Sequence, residues 1–150
     1  MRLSSWVVIL LWMFTGFALS PVFGQELQEP VFYAEDIKSA MRDHVGNIVD
    51  EEGLLHLQDD KTGEALRLRF IQVHDPVRQM KGGIYFACTD FHVEGDPEKI
   101  YDIDFWLNGE TGTLKVFQTK VHKEPRHSLL YGWYKHPRYT FVDDEIEYLY

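Results

Sequence analysis

The chain has 150 residues, of which 45% are hydrophobic and 26% are charged, and its formal net charge is −9 at pH 7. Binding to nucleic acid or to an anionic membrane surface calls for basic faces, so this acidic balance argues against both kinds of partner. Cys88 is the only cysteine, which excludes an internal disulfide framework. Stability must therefore come from packing, and a chain of this length has room for one hydrophobic core.

The first residues have the pattern of a secretory signal peptide. Arg2 precedes an apolar run from Trp6 to Leu19, and small residues follow up to Gly24. An uncleaved membrane anchor is the alternative, because the apolar run is nearly long enough to span a bilayer. Pro21 interrupts the run and no basic cluster follows it, so cleavage is favoured.

This pattern sets the expected domain organisation. We predict a signal peptide over residues 1–24 and a single domain over residues 25–150. Export then places the protein in the periplasm or outside the cell, without stable membrane insertion after cleavage near Gly24. Exported protein partners or small ligands are the partners expected there.

The domain begins with a helical pattern. Acidic residues at 35 and 36 suit the positive end of a helix, and apolar residues then recur at three- to four-residue spacing, at Ile37, Met41, Val45 and Ile48. We predict a helix over 34–49.

The rest of the chain alternates as β-strands do. Strands are predicted at 54–58 and 65–74, with a slip at Phe70–Ile71 that indicates a β-bulge. Three more follow between Gly83 and Lys123, with turns at 94–97, 108–112 and 124–128. Residues 129–135 and 138–142 form one bent strand or two short ones, and 143–150 form a last strand fragment or a docked terminus.

One helix followed by about five antiparallel strands predicts an α+β domain with a curved sheet packed on the N-terminal helix. This element order resembles the cystatin-like folds, which include the cone-shaped domains related to nuclear transport factor 2. The resemblance implies a fold that hosts inhibitors, enzymes and ligand binders alike. The segments Phe86–Phe91, Tyr101–Phe105 and Val121–Lys123 also resemble uncharacterised exported bacterial proteins.

The two hairpins of the central strands predict a cross-strand register. Closing the turns places Asp90 opposite Asp102 and Cys88 opposite Asp104, with Asp102 facing Gln118 on its other side. Carboxylates directly opposite each other destabilise a sheet pair, so a neighbouring cation is expected.

That cation is either a side chain, such as Lys120, or a divalent metal. Carboxylate and imidazole ligands suit zinc or a similar ion, and the candidate metal ligands are Asp90, His92, Asp102 and His122. The alternative is a solvated sheet face, since such faces ordinarily carry Asp, Lys and His. Cys88, flanked by apolar residues, is read as a buried hydrophobe or, alternatively, as a reactive thiol.

A basic and aromatic segment near the C-terminus suggests a partner surface. Aromatic residues dominate interface hot spots, and the candidate ligand- or partner-binding residues are Tyr131, Trp133, Tyr134 and His136. The alternative is that they close the bottom of the core.

No catalytic motif is present in the sequence, and no residue is assigned a catalytic role. We therefore expect an exported, non-catalytic binding or accessory domain that recognises a protein partner or small ligand. One alternative is a divalent-metal-binding protein, the metal being the only cofactor considered. The other is a small enzyme of the cone-shaped class, with Asp90 or Asp102 as acid or base.

Overall fold

The computed structural model describes residues 30–149. The predicted signal peptide over 1–24 and its cleavage near Gly24 lie outside the described residues. Within 30–149, no helix is long and apolar enough to cross a membrane.

The helix α1 spans Ala34–Ile48, so the prediction of a helix over 34–49 is confirmed to within one residue. The backbone N–H of Tyr33 donates to the Asp36 carboxylate at 2.8 Å, which satisfies a polar group at the helix N-terminus. The predicted apolar stripe faces the sheet, and its buried members are Ile37, Met41 and Val45.

Nine strands follow α1 in the described chain, and all their pairings are antiparallel. They are β1 (Leu54–Gln58), β2 (Ala65–Val73), β3 (Arg78–Gln79), β4 (Ile84–Val93), β5 (Asp96–Asn108), β6 (Lys115–Ser128), β7 (Gly132–Pro137), β8 (Tyr139–Val142) and β9 (Glu145–Tyr148). The first seven form one sheet in the order β1-β2-β4-β5-β6-β7, with β3 also paired to β4. Strands β8 and β9 form a separate two-stranded sheet.

The antiparallel α+β class is as predicted, but the predicted sheet of about five strands is wrong, since seven strands are present. One reason is the apparent turn at 124–128. Pro125 pairs with Lys135 inside the ladder, so β6 continues to Ser128 and the turn falls on 129–131 instead. The residues that follow then form a complete strand, β7, rather than part of a bent one.

The main core lies between α1 and one face of the sheet. The side of the sheet that faces α1 carries large buried side chains from β4 and β5, namely Tyr85, Phe91, Ile103, Phe105 and Leu107. Burial of an apolar side chain of this size contributes about 1.5–3 kcal/mol, so this layer accounts for most of the hydrophobic stabilisation.

The opposite face is covered in part by the β8–β9 hairpin, which we call the cover hairpin. Tyr139, Phe141 and Ile146 of the hairpin pack with Phe86 and Trp106 of the sheet in a second apolar cluster. The covered side of the sheet, called the hairpin face here, is therefore not the fully solvated surface that the alternation suggested. The sequence left two possibilities for residues 143–150, a last strand fragment or a docked terminus. The structure has the strand, β9, which forms this second layer together with β8.

The predicted β4–β5 register is confirmed, with Asp90 opposite Asp102 and Cys88 opposite Asp104. The predicted bulge near Ile71 is also confirmed, because the β2–β4 register shifts between Phe70 and Gln72.

The predicted partner of Asp102 on β6, Gln118, is wrong: the pairing is already offset at the β5–β6 turn, where Leu107 pairs with Val116, and two bulges in β6 shift it further. Asp102 pairs with Lys123 and Ile103 pairs with Val121, so His122 is an extra residue between the two pairs. A bulge re-aims the side chains around it, and here His122 and Lys123 both reach carboxylates on the hairpin face.

Candidate functional site

Beneath the cover hairpin, four potential metal ligands converge from three strands. Each offers one ligating atom, and these atoms all lie within 4.8 Å of one another. We call this set the donor cluster; it consists of Cys88 on β4, Asp102 and Asp104 on β5, and His122 on β6. Alternation along β5 places both of its aspartates on the same side of the sheet.

Asp104 is fully buried and only partly satisfied. Its Oδ2 accepts a hydrogen bond from the Tyr139 hydroxyl at 2.7 Å, and burial together with the Asp104 charge raises the pKa of Tyr139. The same Oδ2 lies 3.3 Å from His122 Nδ1. Its other oxygen, Oδ1, is buried without a hydrogen-bond partner.

Asp102 is also fully buried, and one of its oxygens is paired. Lys123 Nζ donates to Oδ2 at 2.9 Å. Burial opposes the charge on Lys123, but the hydrogen bond and charge of Asp102 prevail and raise the pKa of the lysine. Asp102 Oδ1 has no hydrogen-bond partner.

The Nδ1 atom of the His122 imidazole lies close to the carboxylates of Asp102 and Asp104 and has no hydrogen-bond partner in the described part of the chain. Its Nε2 lies 3.1 Å from the carbonyl oxygen of Tyr139, and a carbonyl can only accept, so Nε2 carries a proton. Nδ1 is buried without a hydrogen-bond partner, 3.3 Å from Asp104 Oδ2 and 4.0 Å from Asp102 Oδ2. In a neutral imidazole this nitrogen is a lone pair that faces two anions, an unfavourable arrangement that a cation between them would relieve.

Cys88 completes the cluster as a half-buried thiol. Burial, followed by the negative charges of Asp104 and Asp102, raises its pKa. A nucleophilic cysteine needs the opposite environment, one that stabilises the thiolate. The surroundings of Cys88 therefore argue against a Cys–His nucleophile pair. A metal cation is a group that would favour the thiolate here.

A second group on the same face is already satisfied. His74 Nε2 lies 2.7 Å from Asp90 Oδ2, and Lys135 Nζ donates to Asp90 Oδ1 at 2.7 Å. Burial opposes ionisation of Asp90, but these two partners outweigh it and bring its pKa to about 2. Its carboxylate thus stays ionised at neutral pH, unlike a general acid.

The repulsion between Asp90 and Asp102 is offset by two lysines. Lys135 neutralises the first carboxylate and Lys123 the second, whereas Lys120, the side chain considered from the sequence, instead donates to the Tyr148 hydroxyl at 3.1 Å. Because a lysine already neutralises each of these carboxylates, little negative charge remains at Asp90 to attract a further cation. Asp104, in contrast, has no lysine or arginine partner among the described residues.

Of the four residues that the sequence nominated as metal ligands, Asp102 and His122 lie in the donor cluster, and Asp102 also lies within 4.8 Å of Asp90 and His74, which form a second possible ligand group with it. Asp90 lies in the lysine-paired group, and His92 lies outside both groups, with Nδ1 2.9 Å from the Val93 carbonyl oxygen. Cys88 and Asp104 were placed opposite each other by the register but not identified as ligands. The signal for them was present: a second carboxylate and a thiol on the same face as Asp102.

Of the four predicted partner-binding residues, Tyr131 and Tyr134 line one pocket, His136 lies beside Tyr134, and Trp133 lies on the other side of the strand. Tyr131 lies in the β6–β7 turn and is 81% exposed. Tyr134 and His136 are neighbours on one side of β7, with ring centroids 6.0 Å apart. Trp133 projects from the other side of that strand, where Lys99 Nζ lies 4.9 Å from its ring centroid.

Comparison with known proteins found no matching family model, no matching curated protein and no matching solved structure.

Proposed function

We propose that this protein binds one divalent transition-metal ion through Cys88, Asp102, Asp104 and His122. One observation carries the proposal: three buried polar atoms of this cluster have no hydrogen-bond partner. They are two carboxylate oxygens and one imidazole nitrogen, each a metal ligand when deprotonated. Buried polar groups are ordinarily paired, so three unpaired ligand atoms within one cluster support a missing shared partner.

The charges support a divalent ion. Asp102 and Asp104 bring two buried negative charges, and Lys123 supplies one positive charge nearby. Removing a charge from water costs several kcal/mol unless it is compensated. When a divalent ion binds, Cys88 loses its thiol proton to solvent and the sulfur becomes a ligand. The three negative charges of two carboxylates and one thiolate then balance the two positive charges of the ion and the one of Lys123.

The donor types favour zinc or a similar borderline ion. Zinc takes four ligands from thiolate, imidazole and carboxylate groups in a tetrahedral arrangement. Calcium and magnesium require sets of oxygen ligands, which a site containing sulfur and nitrogen does not provide. A closed site with four protein ligands also leaves no open coordination position, so we propose a carrier, sensor or structural ion rather than a catalytic one.

The test is titration of metal-free protein with Zn²⁺, followed by calorimetry and native mass spectrometry. We expect one zinc per chain, release of about one proton per zinc from Cys88, and no comparable binding of Mg²⁺ or Ca²⁺. His122→Asn should lower zinc affinity by at least about ten-fold, since loss of a ligand removes one metal bond.

The matched control is His74→Asn, which alters a histidine on the same face that already pairs with Asp90. This variant should bind zinc as the parent does. If the parent binds no zinc, or if both histidine variants lose it equally, the donor cluster is not a metal site. The charge on His122 would then be a proton shared with Asp104.

The N-terminal sequence supports export, which would place this site in the periplasm or outside the cell. Metal-free apoprotein would there meet zinc directly, without the competing thiols of the cytosol. Mass spectrometry of protein recovered from an exporting host tests the cleavage before Gln25.

A second candidate function is recognition of an exported protein partner through the β6–β7 turn. The observation that favours it is the exposure of three consecutive large apolar side chains: Leu129 at 99%, Leu130 at 83% and Tyr131 at 81%. A photo-crosslinking residue at Leu130 should capture this partner in the native host, and the same residue at Val142, on the other hairpin, is the control. Equal capture at both positions would contradict this function.

A further inference from the structure

We propose that the cover hairpin is a metal-dependent gate over the donor cluster. The ion enters and leaves by the opening of β8–β9 from the sheet, and the bound ion holds the hairpin closed. This inference rests on the proposed metal binding and adds how the ion is retained and exchanged.

The hairpin is attached in a way that permits it to move as a unit. In the described chain, β8 and β9 pair with each other and not with the seven-stranded sheet. The chain passes from β7 into β8 through Arg138, whose backbone N–H donates to the His122 carbonyl at 2.8 Å. Side-chain packing, rather than a continuous ladder, therefore holds the hairpin against the sheet.

One hairpin residue contacts two metal ligands. The ring of Tyr139 stacks on His122 with centroids 4.6 Å apart and planes inclined by 17°. Its carbonyl accepts from His122 Nε2, and its hydroxyl donates to Asp104. These bonds fix the tautomer of the imidazole and the orientation of the carboxylate, as outer partners of metal ligands do.

Closing the hairpin and arranging the ligands are consequently the same event. When Tyr139 leaves, His122 and Asp104 both lose the partners that orient them. Linkage then works in both directions: if docking of the hairpin strengthens metal binding by some factor, metal binding strengthens docking by that same factor.

The docked hairpin also closes the route to the ion. Tyr139 is only 1% exposed, and Asp102 and Asp104 are fully buried beneath it. Beside it, Phe141 packs against Phe86 and Trp106, with ring centroids at 5.0 and 6.3 Å. The sheet blocks access from below, and Cys88 and His122 keep only partial exposure at the edge of the cluster, so movement of these hairpin rings opens the main route to the ion.

Polar contacts at the hairpin's outer part do not involve the donor cluster. From Tyr139 to Tyr148 the hairpin carries four acidic residues and no lysine or arginine: Asp143, Asp144, Glu145 and Glu147. Arg78 lies 3.9 Å from Asp144, and Lys120 donates to the Tyr148 hydroxyl at 3.1 Å. These contacts do not need an ion, so the dependence on metal comes through Tyr139 and its two ligand partners.

Two measurements test the gate with Zn²⁺ as the probe. The first is hydrogen exchange of the peptide covering 139–149 in metal-free and zinc-loaded protein of the full chain. We expect zinc to slow exchange of the β8–β9 amides by about ten-fold or more, because only the open hairpin exchanges. Amides of α1, which packs on the other face of the sheet, should change much less.

The second is the rate at which a chelator in excess removes bound zinc. Phe141→Ala removes hairpin packing without removing a ligand, and should accelerate zinc loss by about ten-fold or more, since opening limits exit. Val142→Ala is the matched control, because its side chain is 50% exposed on the same strand, and it should leave the rate unchanged.

The outcomes separate the two proposals. If native mass spectrometry detects no bound zinc, metal binding itself fails and the gate fails with it. If zinc binds but hydrogen exchange of 139–149 is unchanged, the hairpin does not open in a metal-dependent way. The gate is then refuted, and the proposal of metal binding stands. Should Phe141→Ala fail to fold, the exchange measurement on the parent protein still decides.

Discussion

Arg138 and Asp59, separated by 79 residues in sequence, form a buried bidentate ion pair. Nη1 donates to Oδ1 at 2.7 Å and Nη2 to Oδ2 at 2.6 Å, and both side chains are at least 95% buried. Asp59 lies in the β1–β2 turn and Arg138 lies between β7 and β8. The pair therefore ties the base of the cover hairpin to the opposite edge of the domain.

Arg138→Met should destabilise the protein by about 3–5 kcal/mol, because it leaves the Asp59 carboxylate buried without its counter-ion. Urea unfolding measures the loss. Arg126→Met is the matched control, since Arg126 pairs with Glu124, which Arg138 Nε also contacts at 2.7 Å, but is half exposed, and the expected cost there is at most about 1 kcal/mol. Equal effects of the two substitutions would contradict the assigned burial of the Arg138 pair.

The same pair predicts acid sensitivity. The hydrogen bonds from Arg138 outweigh burial and hold the pKa of Asp59 well below its usual value of 3.8. A lowered folded-state pKa stabilises the protein above the unfolded-state pKa, and that stabilisation is lost as the pH falls from about 4 towards the folded-state pKa. Asp59→Asn should flatten this part of the curve of unfolding free energy against pH. A curve parallel to that of the parent would show that other groups cause the acid loss.

The elements with a regular hydrophobic period could be predicted from the sequence. The helix stripe from Ile37 to Val45 and the β4–β5 pairing both follow from periodicity and turn position. The donor cluster depends in addition on the extra residue at His122, and a bulge leaves no alternation signal in a strand whose residues are mostly polar. A one-residue error in register there separates the imidazole from its carboxylates.

The second layer of the fold, the cover hairpin, could not be predicted from the sequence for a different reason. Burial of Asp102 and Asp104 depends on the cover hairpin, whose sequence is acidic and lacks the apolar run expected of a core element. Tyr139, Phe141 and Ile146 pack against Phe86 and Trp106, which lie more than thirty positions away in the sequence. Such long-range pairing is set by tertiary structure, and local composition does not specify it.

Cys88 should react slowly with iodoacetamide in the folded, metal-free protein. Burial and the charges of Asp104 and Asp102 raise the pKa of the thiol, and each unit of pKa removes about nine-tenths of the reactive thiolate. We expect alkylation at pH 8 to be at least about ten-fold slower than in urea-unfolded protein. Zinc should slow it further by occupying the sulfur, whereas reaction as fast as in the unfolded chain would refute the assigned environment.

Asp104→Asn should change stability in opposite directions with and without zinc. In the metal-free protein it removes a buried negative charge from beside His122 Nδ1, while the amide oxygen still accepts from Tyr139. We expect a gain of about 1–3 kcal/mol in the free energy of unfolding. Zinc at 100 times its dissociation constant should stabilise the parent by about 2.7 kcal/mol and the variant much less.

The sign in metal-free protein distinguishes the two explanations of the cluster. If His122 is instead a cation paired with Asp104, the substitution breaks a buried ion pair and should cost about 3–5 kcal/mol. Asp96→Asn is the matched control, because Asp96 pairs with Lys99 at 2.9 Å where both side chains are 36% exposed, and a change within about 0.5 kcal/mol is expected. Urea unfolding of the parent and both variants, after chelation, measures that sign. A destabilised Asp104→Asn protein would show that a proton on His122 compensates Asp104 when metal is absent, and a stabilised one would show that this charge stays uncompensated until a metal binds.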